Sequence, residues 1–164
     1  METERVNKMR KSLRRKDREL TSDLAAKLFS ECEYGFLSTV DIDGQPYGIP
    51  LNYVFKDNCV YFHCALEGYK LDNIEANNKV SFCVVGKTRV VPDKFAMLYE
   101  SAIAFGAVSE AFGDEKQDAL VSLLEKYSPG YIEEGEKAID AHGKETRVMR
   151  IDIDYMTGKE RDIN

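Results

Sequence analysis

A chain of 164 residues suits one domain, and 43% hydrophobic residues are enough for a core of ordinary size. The formal net charge of -6 argues against nucleic acid as the main partner, because such binders carry a basic excess. No apolar run approaches the ~20 residues that a membrane-crossing helix needs, and the charged N-terminus lacks the apolar stretch of a secretory signal, so a cytoplasmic protein with no membrane partner is expected.

Residues 1–20 hold eight cations (Arg5, Lys8, Arg10, Lys11, Arg14, Arg15, Lys16 and Arg18) against four acids. They read as a basic N-terminal arm, either a solvated tail or a contact for RNA or phosphate. Residues 21–164 then form the single folded domain. Thr21 and Ser22 can cap a helix running through Leu24, Leu28 and Phe29 to about Glu33.

The stretch "YGFLSTVDIDGQPYGIPLNYVFKDNCVYFHCA" reads as three strands, separated by turn signals at "DIDGQP" and "KDN". In the third, Val60, Phe62 and Cys64 share one face, predicted to be core. Cys59, Tyr61 and His63 share the other, which is polar enough to line a site. A short helix is predicted from about Lys70 to Asn77, followed by the strand "KVSFCVV". "GKTRVVPDKF" contains a proline and reads as a loop. "YESAIAFGAVSEAF" reads as a long strand in which Gly106 marks a bulge or close contact.

Asp114 and Gln117 resemble a capping box for a helix carrying Leu120, Leu123 and Leu124, which "SPGYIEEG" breaks. His142, in "HGKE", falls in a loop. "TRVMRIDIDYM" closes the chain as a strand of period two, with Met149, Ile151, Ile153 and Tyr155 alternating with Arg150, Asp152 and Asp154. Six strands in hairpin order with two or three helices predict a mainly β fold, an antiparallel barrel with appended helices.

The four cysteines, Cys32, Cys59, Cys64 and Cys83, include no C-x-x-C pair, and there are two histidines. Cys59, His63 and Cys64 lie close in sequence, yet strand alternation sends His63 and Cys64 to opposite faces. No metal site is expected, and the thiols read as reduced and mostly buried.

Between the third strand and the helix after it stand Gly68, Tyr69 and Lys70. A helix N-terminus offers unpaired N–H groups and the positive end of the dipole, and Gly68 lets a ligand approach the backbone. Lys70 is ill-matched to that dipole unless an anion sits there; a solvated lysine is the other reading. Pro50 suits an edge strand, beside which Asn52 offers a donor and an acceptor. Tyr53 is either a ring to stack on a heterocycle or an ordinary strand tyrosine. No side chain is assigned as catalytic: the chain lacks a P-loop, G-x-S-x-G, H-E-x-x-H and G-x-G-x-x-G, so a bound cofactor would carry any chemistry.

"GFLSTVDIDGQPYGIPLNYVF", "VYFHCALEGYKLDNIEANNKVSFCVV", "YESAIAFGAVSE" and "IDIDYMTGKE" together resemble the nitroimidazole-resistance branch of the pyridoxamine phosphate oxidase-like flavoproteins, over residues 9–159. The resemblance implies a six-stranded antiparallel split β-barrel of the FMN-binding type, and a homodimer holding FMN in two clefts at its interface. It implies Leu51, Asn52 and Tyr53 beside the isoalloxazine ring. Tyr61, His63, Cys64, Ala65, Lys70 and Leu71 would lie along the ribityl chain and phosphate. Ser101 and Lys159 are further contacts, one of them from the partner subunit. The implied activity is an oxidoreductase passing electrons from NAD(P)H through FMN to a small acceptor such as a nitro-aromatic compound. The alternative is a non-catalytic module that holds FMN or haem for storage, sensing or transfer.

Overall fold

The computed structural model describes residues 12–162. Arg5, Lys8, Arg10 and Lys11 of the basic arm lie outside them. Within them, a 3-10 turn at Lys16–Arg18 leads into β1 (Glu19–Leu20), which pairs with the last strand, so the arm's final residues already belong to the sheet. There follow α1 (Ser22–Glu31), β2 (Gly35–Val40), β3 (Pro46–Leu51), β4 (Val54–Lys56), β5 (Cys59–Cys64) and α2 (Tyr69–Ala76). The second half contributes β6 (Lys79–Val91), β7 (Ala96–Ala111), α3 (Gly113–Tyr127), α4 (Ile132–His142) and β8 (Arg147–Arg161). Among the described residues no helix is long and apolar enough to cross a membrane.

The fold is mixed α/β around one eight-stranded antiparallel sheet, not the six-stranded, mainly β barrel expected. The sheet order is β3-β2-β6-β7-β8-β5-β4, with β1 added to β8. Part of the difference is β1. The rest comes from "YGIPLNYVF", which reads as one strand but breaks at Asn52–Tyr53. β3 pairs with β2 at one edge of the sheet, and β4 pairs with β5 at the other. Two residues thus carry the chain from one edge to the opposite edge. The sheet must curl until its edges meet, and the seam is bridged by the chain rather than by ladder hydrogen bonds. Pro50, which lacks a donor, sits on edge strand β3 opposite Phe36, as a strand proline should.

Alternation builds the interior. Val60 and Phe62 of β5 are fully buried, as are Phe82 and Val84 of β6 and Ile151 of β8. Phe29, on the α1 face shared with Ala25 and Leu28, closes the end of the barrel against Tyr53, Phe55 and Phe82. Thr21 caps α1 by accepting the Leu24 amide at 3.3 Å, and the helix stops at Glu31, short of the predicted Glu33. The polar side chains inside are paired: Asn73 Nδ2 donates to Thr39 Oγ1 at 3.0 Å, which donates to Tyr47 O.

Three local readings are corrected. "GKTRVVPDKF" is not a loop: Thr88–Val91 pair with Ala96–Tyr99, and only Pro92–Lys94 turns at the hairpin tip. The capping box at Asp114 and Gln117 does not form. The helix starts at Gly113 after an uncapped Phe112, which leaves Asp114 in the first turn, where its charge suits the dipole. Residues 128–131 do break that helix, but a second one, α4, follows at once, and His142 is its last residue rather than a loop residue. Gly106 does mark a bulge. The β7–β8 register shifts between Phe105 and Gly106, and a Cβ there would lie 2.0 Å from Asp152 O.

Candidate functional site

The corner after β5 is made of backbone more than of side chains. Gly68 takes φ +142°, outside the range that side-chain-bearing residues favour, and no side chain caps the N-terminus of α2. The Gly68 carbonyl accepts the Leu71 and Asp72 amides at 2.8 and 3.2 Å, leaving the amides of Tyr69 and Lys70 at the open end of the helix. Nothing lies within 4 Å of a Cβ built on Gly68, so the approach to this corner is clear. Lys70 is half-buried and is in no ion pair among the described residues.

A second cation marks the same end of β5. Burial raises the pKa of the Cys64 thiol, and Lys70 and Arg147 pull it back down, which sets both cations around this thiol. Arg147 already holds an acid: its Nε and Nη2 donate to Glu110 Oε2 at 3.0 and 2.5 Å. Sequence reasoning missed the anchor of the corner. Tyr69 OH donates to Asp41 Oδ2 at 2.6 Å, and its ring meets Tyr47 edge-on at 4.9 Å, tying the start of α2 to the β2–β3 turn. Nothing local in "EGYK" signals a partner 28 residues away.

The predicted site residues separate into groups. Tyr61, His63 and Ala65 lie on the outer side of β5 or just beyond it. Tyr61 OH donates to Glu115 Oε1 at 3.0 Å, and burial together with that carboxylate pushes its pKa well up. Cys64 and Leu71 point into the core, 8% and 6% exposed, so their side chains offer no ligand surface. Leu51 is half-buried against the core.

Tyr53 overturns the expected stacking role. Its ring is fully buried, packed edge-on against Phe82 at 4.9 Å, and its hydroxyl donates to Phe29 O at 2.6 Å. Its backbone is occupied too. Tyr53 N donates to Tyr127 OH at 2.9 Å, and Lys126 Nζ donates to Tyr53 O at 2.9 Å while lying 3.9 Å above the ring. The end of α3 therefore plugs the barrel seam at this residue, and burial lowers the pKa of Lys126 there.

Asn52 remains exposed next to the seam and shares a cavity with His63. The cavity, about 350 Å³, lies between the sheet and the helix pair α3–α4. On α3 the lining residues are Leu120, Leu123, Leu124 and Tyr127, with Ser128 just beyond its end; on α4 they are Gly135, Ala138, Ile139 and His142. Both sets recur at i, i+3, i+4 and i+7, which is one face of each helix.

Ser101 and Lys159 are directly opposite each other on β7 and β8. Lys159 is twelve residues along β8 from Arg147 (147 to 159), about 40 Å of strand. They therefore lie at the opposite end of β8 from Arg147. They stand instead at the border of an apolar outer face. There Phe36 is opposite Cys83, Cys83 opposite Ile103, and Phe105 stacks on Tyr155 at 4.7 Å. Val85, 48% exposed, is the residue opposite Ser101. The four thiols are unpaired and burial raises the pKa of each, so none is poised as a nucleophile.

A curled antiparallel sheet whose edges meet without pairing, with an open helix N-terminus beside the last turn of the curl, defines a split-barrel protein. The sequence agrees with that class. The chain belongs to the pyridoxamine 5'-phosphate oxidase family, whose pattern matches residues 21–160. Among solved structures it is similar to a candidate 5-nitroimidazole antibiotic resistance protein from Bacteroides thetaiotaomicron, at 23% identity and a TM-score of 0.73 over 87% of this chain and 86% of that one. It is also similar to a conserved protein from Mycobacterium tuberculosis, at 19% identity and a TM-score of 0.77, covering 91% and 90%. A third likeness is to an FAD- and haem-binding protein from Mycobacterium smegmatis, at 18% identity and a TM-score of 0.72, covering 87% and 72%. At these identities the likenesses carry the fold. Among curated proteins none matches this chain.

Proposed function

We propose that the protein is an FMN-binding flavoprotein of the split-barrel class, acting as an oxidoreductase that moves electrons from NAD(P)H to a small acceptor such as a nitro-aromatic compound. The observation that carries this reading is the open corner at Gly68–Lys70. An uncapped helix N-terminus with a clear approach and an unpaired cation is suited to a dianionic phosphate. Lys70 and the amides of Tyr69 and Lys70 would hold the phosphate. Tyr61, His63, Ala65 and Asn52, which line the outer side of β5 and the seam, would flank the rest of the cofactor. FMN, when bound, supplies the two-electron chemistry that no side chain here is arranged to perform.

A homodimer belongs to the same proposal. The outer face carrying Phe36, Val85, Ile103 and Phe105 is apolar enough to pack against a second copy, and Ser101 and Lys159 lie on its border. A site that takes Lys70 from one subunit and Lys159 from the other would need that copy. Two of the neighbouring folds are of proteins described as binding FAD, or FAD and haem, which makes a flat conjugated ligand a natural expectation for this fold as well.

The visible spectrum of the purified protein, followed by titration with FMN, tests the reading. Flavin absorbance or saturable FMN uptake is the expected result. A colourless protein that takes up no FMN overturns it. Rapid mixing of the loaded protein with NADH or NADPH then tests the oxidoreductase role: flavin bleaching is expected, and no bleaching with either donor leaves a binding module.

A further inference from the structure

The cavity between α3, α4 and the sheet has features that cofactor binding at the corner does not explain. Its volume, about 350 Å³, falls at the small end of ligand sites. Its walls are two facing apolar stripes; α4 approaches α3 closely at Gly135, where a Cβ would lie 2.2 Å from Leu124 Cδ1, and Ile132, Gly135 and Ile139 are half-buried while no α4 residue is fully buried. An amphipathic helix normally packs its apolar face away; here, beyond the Gly135 contact, that face is only partly covered. Each helix is anchored at its C-terminal end. The end of α3 is pinned at the seam by Lys126 and Tyr127, and α4 runs through a 3-10 turn directly into β8. Its polar lining residues are few: Asn52 and His63 on the sheet side, Tyr127 and Ser128 at the end of α3, and His142 and Thr146 at and after the end of α4. No Lys, Arg, Asp or Glu lines it.

We propose that this cavity binds the electron acceptor, and that the acceptor is an uncharged, ring-sized organic molecule bearing one or two hydrogen-bonding groups. Its role as the acceptor site rests on the flavin reading; its ability to bind such a molecule does not. Apolar walls reward a ring, and the lining amide, imidazoles and hydroxyls can each give or take a hydrogen bond. An ionised ligand would enter without a counter-charge and pay its desolvation unrelieved. The phosphate-sized corner and this cavity thus select opposite chemistries, an anion at one and a neutral ring at the other.

The test uses the full chain and 2-naphthol, an uncharged fluorescent ring compound, with 2-naphthalenesulfonate as its charged counterpart. Saturable 2-naphthol binding is expected, with the sulfonate weaker by at least about tenfold. Ala138→Phe fills the cavity from an exposed helical position and should weaken 2-naphthol by at least about tenfold. The melting temperature and FMN uptake of that variant should be unchanged; Ala138→Leu is the milder version should the phenylalanine disturb α4. In FMN-loaded protein the same substitution should raise KM for a nitro-aromatic acceptor while flavin reduction by the donor proceeds at the wild-type rate. Unchanged 2-naphthol binding in both variants, or sulfonate binding equal to 2-naphthol, overturns the proposal. An unchanged KM in a variant that has lost 2-naphthol removes the acceptor role. If wild-type protein binds 2-naphthol but no FMN, the flavin reading falls and the cavity stands.

Discussion

The two ends of β8 carry similar charges held in different ways. At the Arg147 end, the guanidinium is already matched by Glu110, while Lys70 nearby is in no ion pair among the described residues. At the far end Lys159 forms no ion pair among the described residues. It stands 6.0 Å from the centre of the Tyr99 ring, and with Arg18 it draws the Tyr99 pKa down against the effect of burial. One end is settled by an acid and leaves one cation over; the other rests its cations on a phenol, a weaker and more easily displaced partner. Twelve residues of β8, about 40 Å of strand, run between them. On the proposed function, a site that drew on both ends would have to be assembled between two subunits.

The largest effect expected is on the bulge that fixes how the two ends relate. Gly106 sits midway along β7, where a side chain would meet the Asp152 carbonyl, a backbone atom that cannot swing aside. Gly106→Val should destabilise the fold by about 3 kcal/mol, read from the denaturant midpoint. Wild-type stability in that variant would show that the β7–β8 ladder can re-register and that the distance between the ends is adjustable.

Next in size is the charge at the first end. Lys70→Ala should weaken FMN binding by ~1–3 kcal/mol, the range for a lost charge-assisted hydrogen bond. Lys87→Ala is the control, since Lys87 is an exposed residue at the β6 irregularity whose backbone amide, not its side chain, bonds Glu100. Equal affinity in the two variants removes the phosphate from the corner. Mixing then separates the one-chain and two-chain arrangements. If Lys159 acts across the interface, combining Lys70→Ala protein with Lys159→Ala protein after subunit exchange should restore about a quarter of the FMN sites, because half of the dimers are mixed and each mixed dimer has one intact site. No recovery over the two variants measured apart means that both lysines serve the same chain, or that Lys159 serves none.

What could be read from the residues alone follows the range of the interactions involved. The two faces of β5 and the bulge at Gly106 were legible, because period-two alternation and a lone glycine are local signals. So was the corner at Gly68–Lys70, where a glycine precedes a helix whose first turn carries a lysine. The split of "YGIPLNYVF" into two edge strands was not legible, since it depends on β3 and β4 finding partners at opposite sides of the sheet. Nor was the fate of Tyr53: its burial is fixed by Lys126 and Tyr127, more than 70 residues away, which satisfy its backbone. Without those partners a strand tyrosine beside Asn52 reads equally well as a stacking ring. Helix α4 escaped because its start has no side-chain cap and Gly135 interrupts it, so its apolar spacing is the sole local sign.

The smallest expected effect concerns the far end. Burial raises the pKa of Tyr99, but the nearby cations Arg18 and Lys159 outweigh it and leave the phenol below its usual value of 10.0. The unfolded chain therefore binds more protons than the folded one between the lowered pKa and 10.0. Stability from this group is fully present above 10.0 and is lost as pH falls through the folded value. The hydroxyl is mostly solvated, so the contribution is a few tenths of a kcal/mol, and Tyr99→Phe should flatten the alkaline limb of the stability profile by that little. The more telling readout is the ultraviolet titration of the phenol itself. Should an anion draw Lys159 away in the loaded dimer, the ionisation of Tyr99 should move back up when FMN is added. A Tyr99 titration indifferent to saturating FMN would leave the Arg147 end as the whole of the anion site, and Lys159 a surface cation resting on a ring.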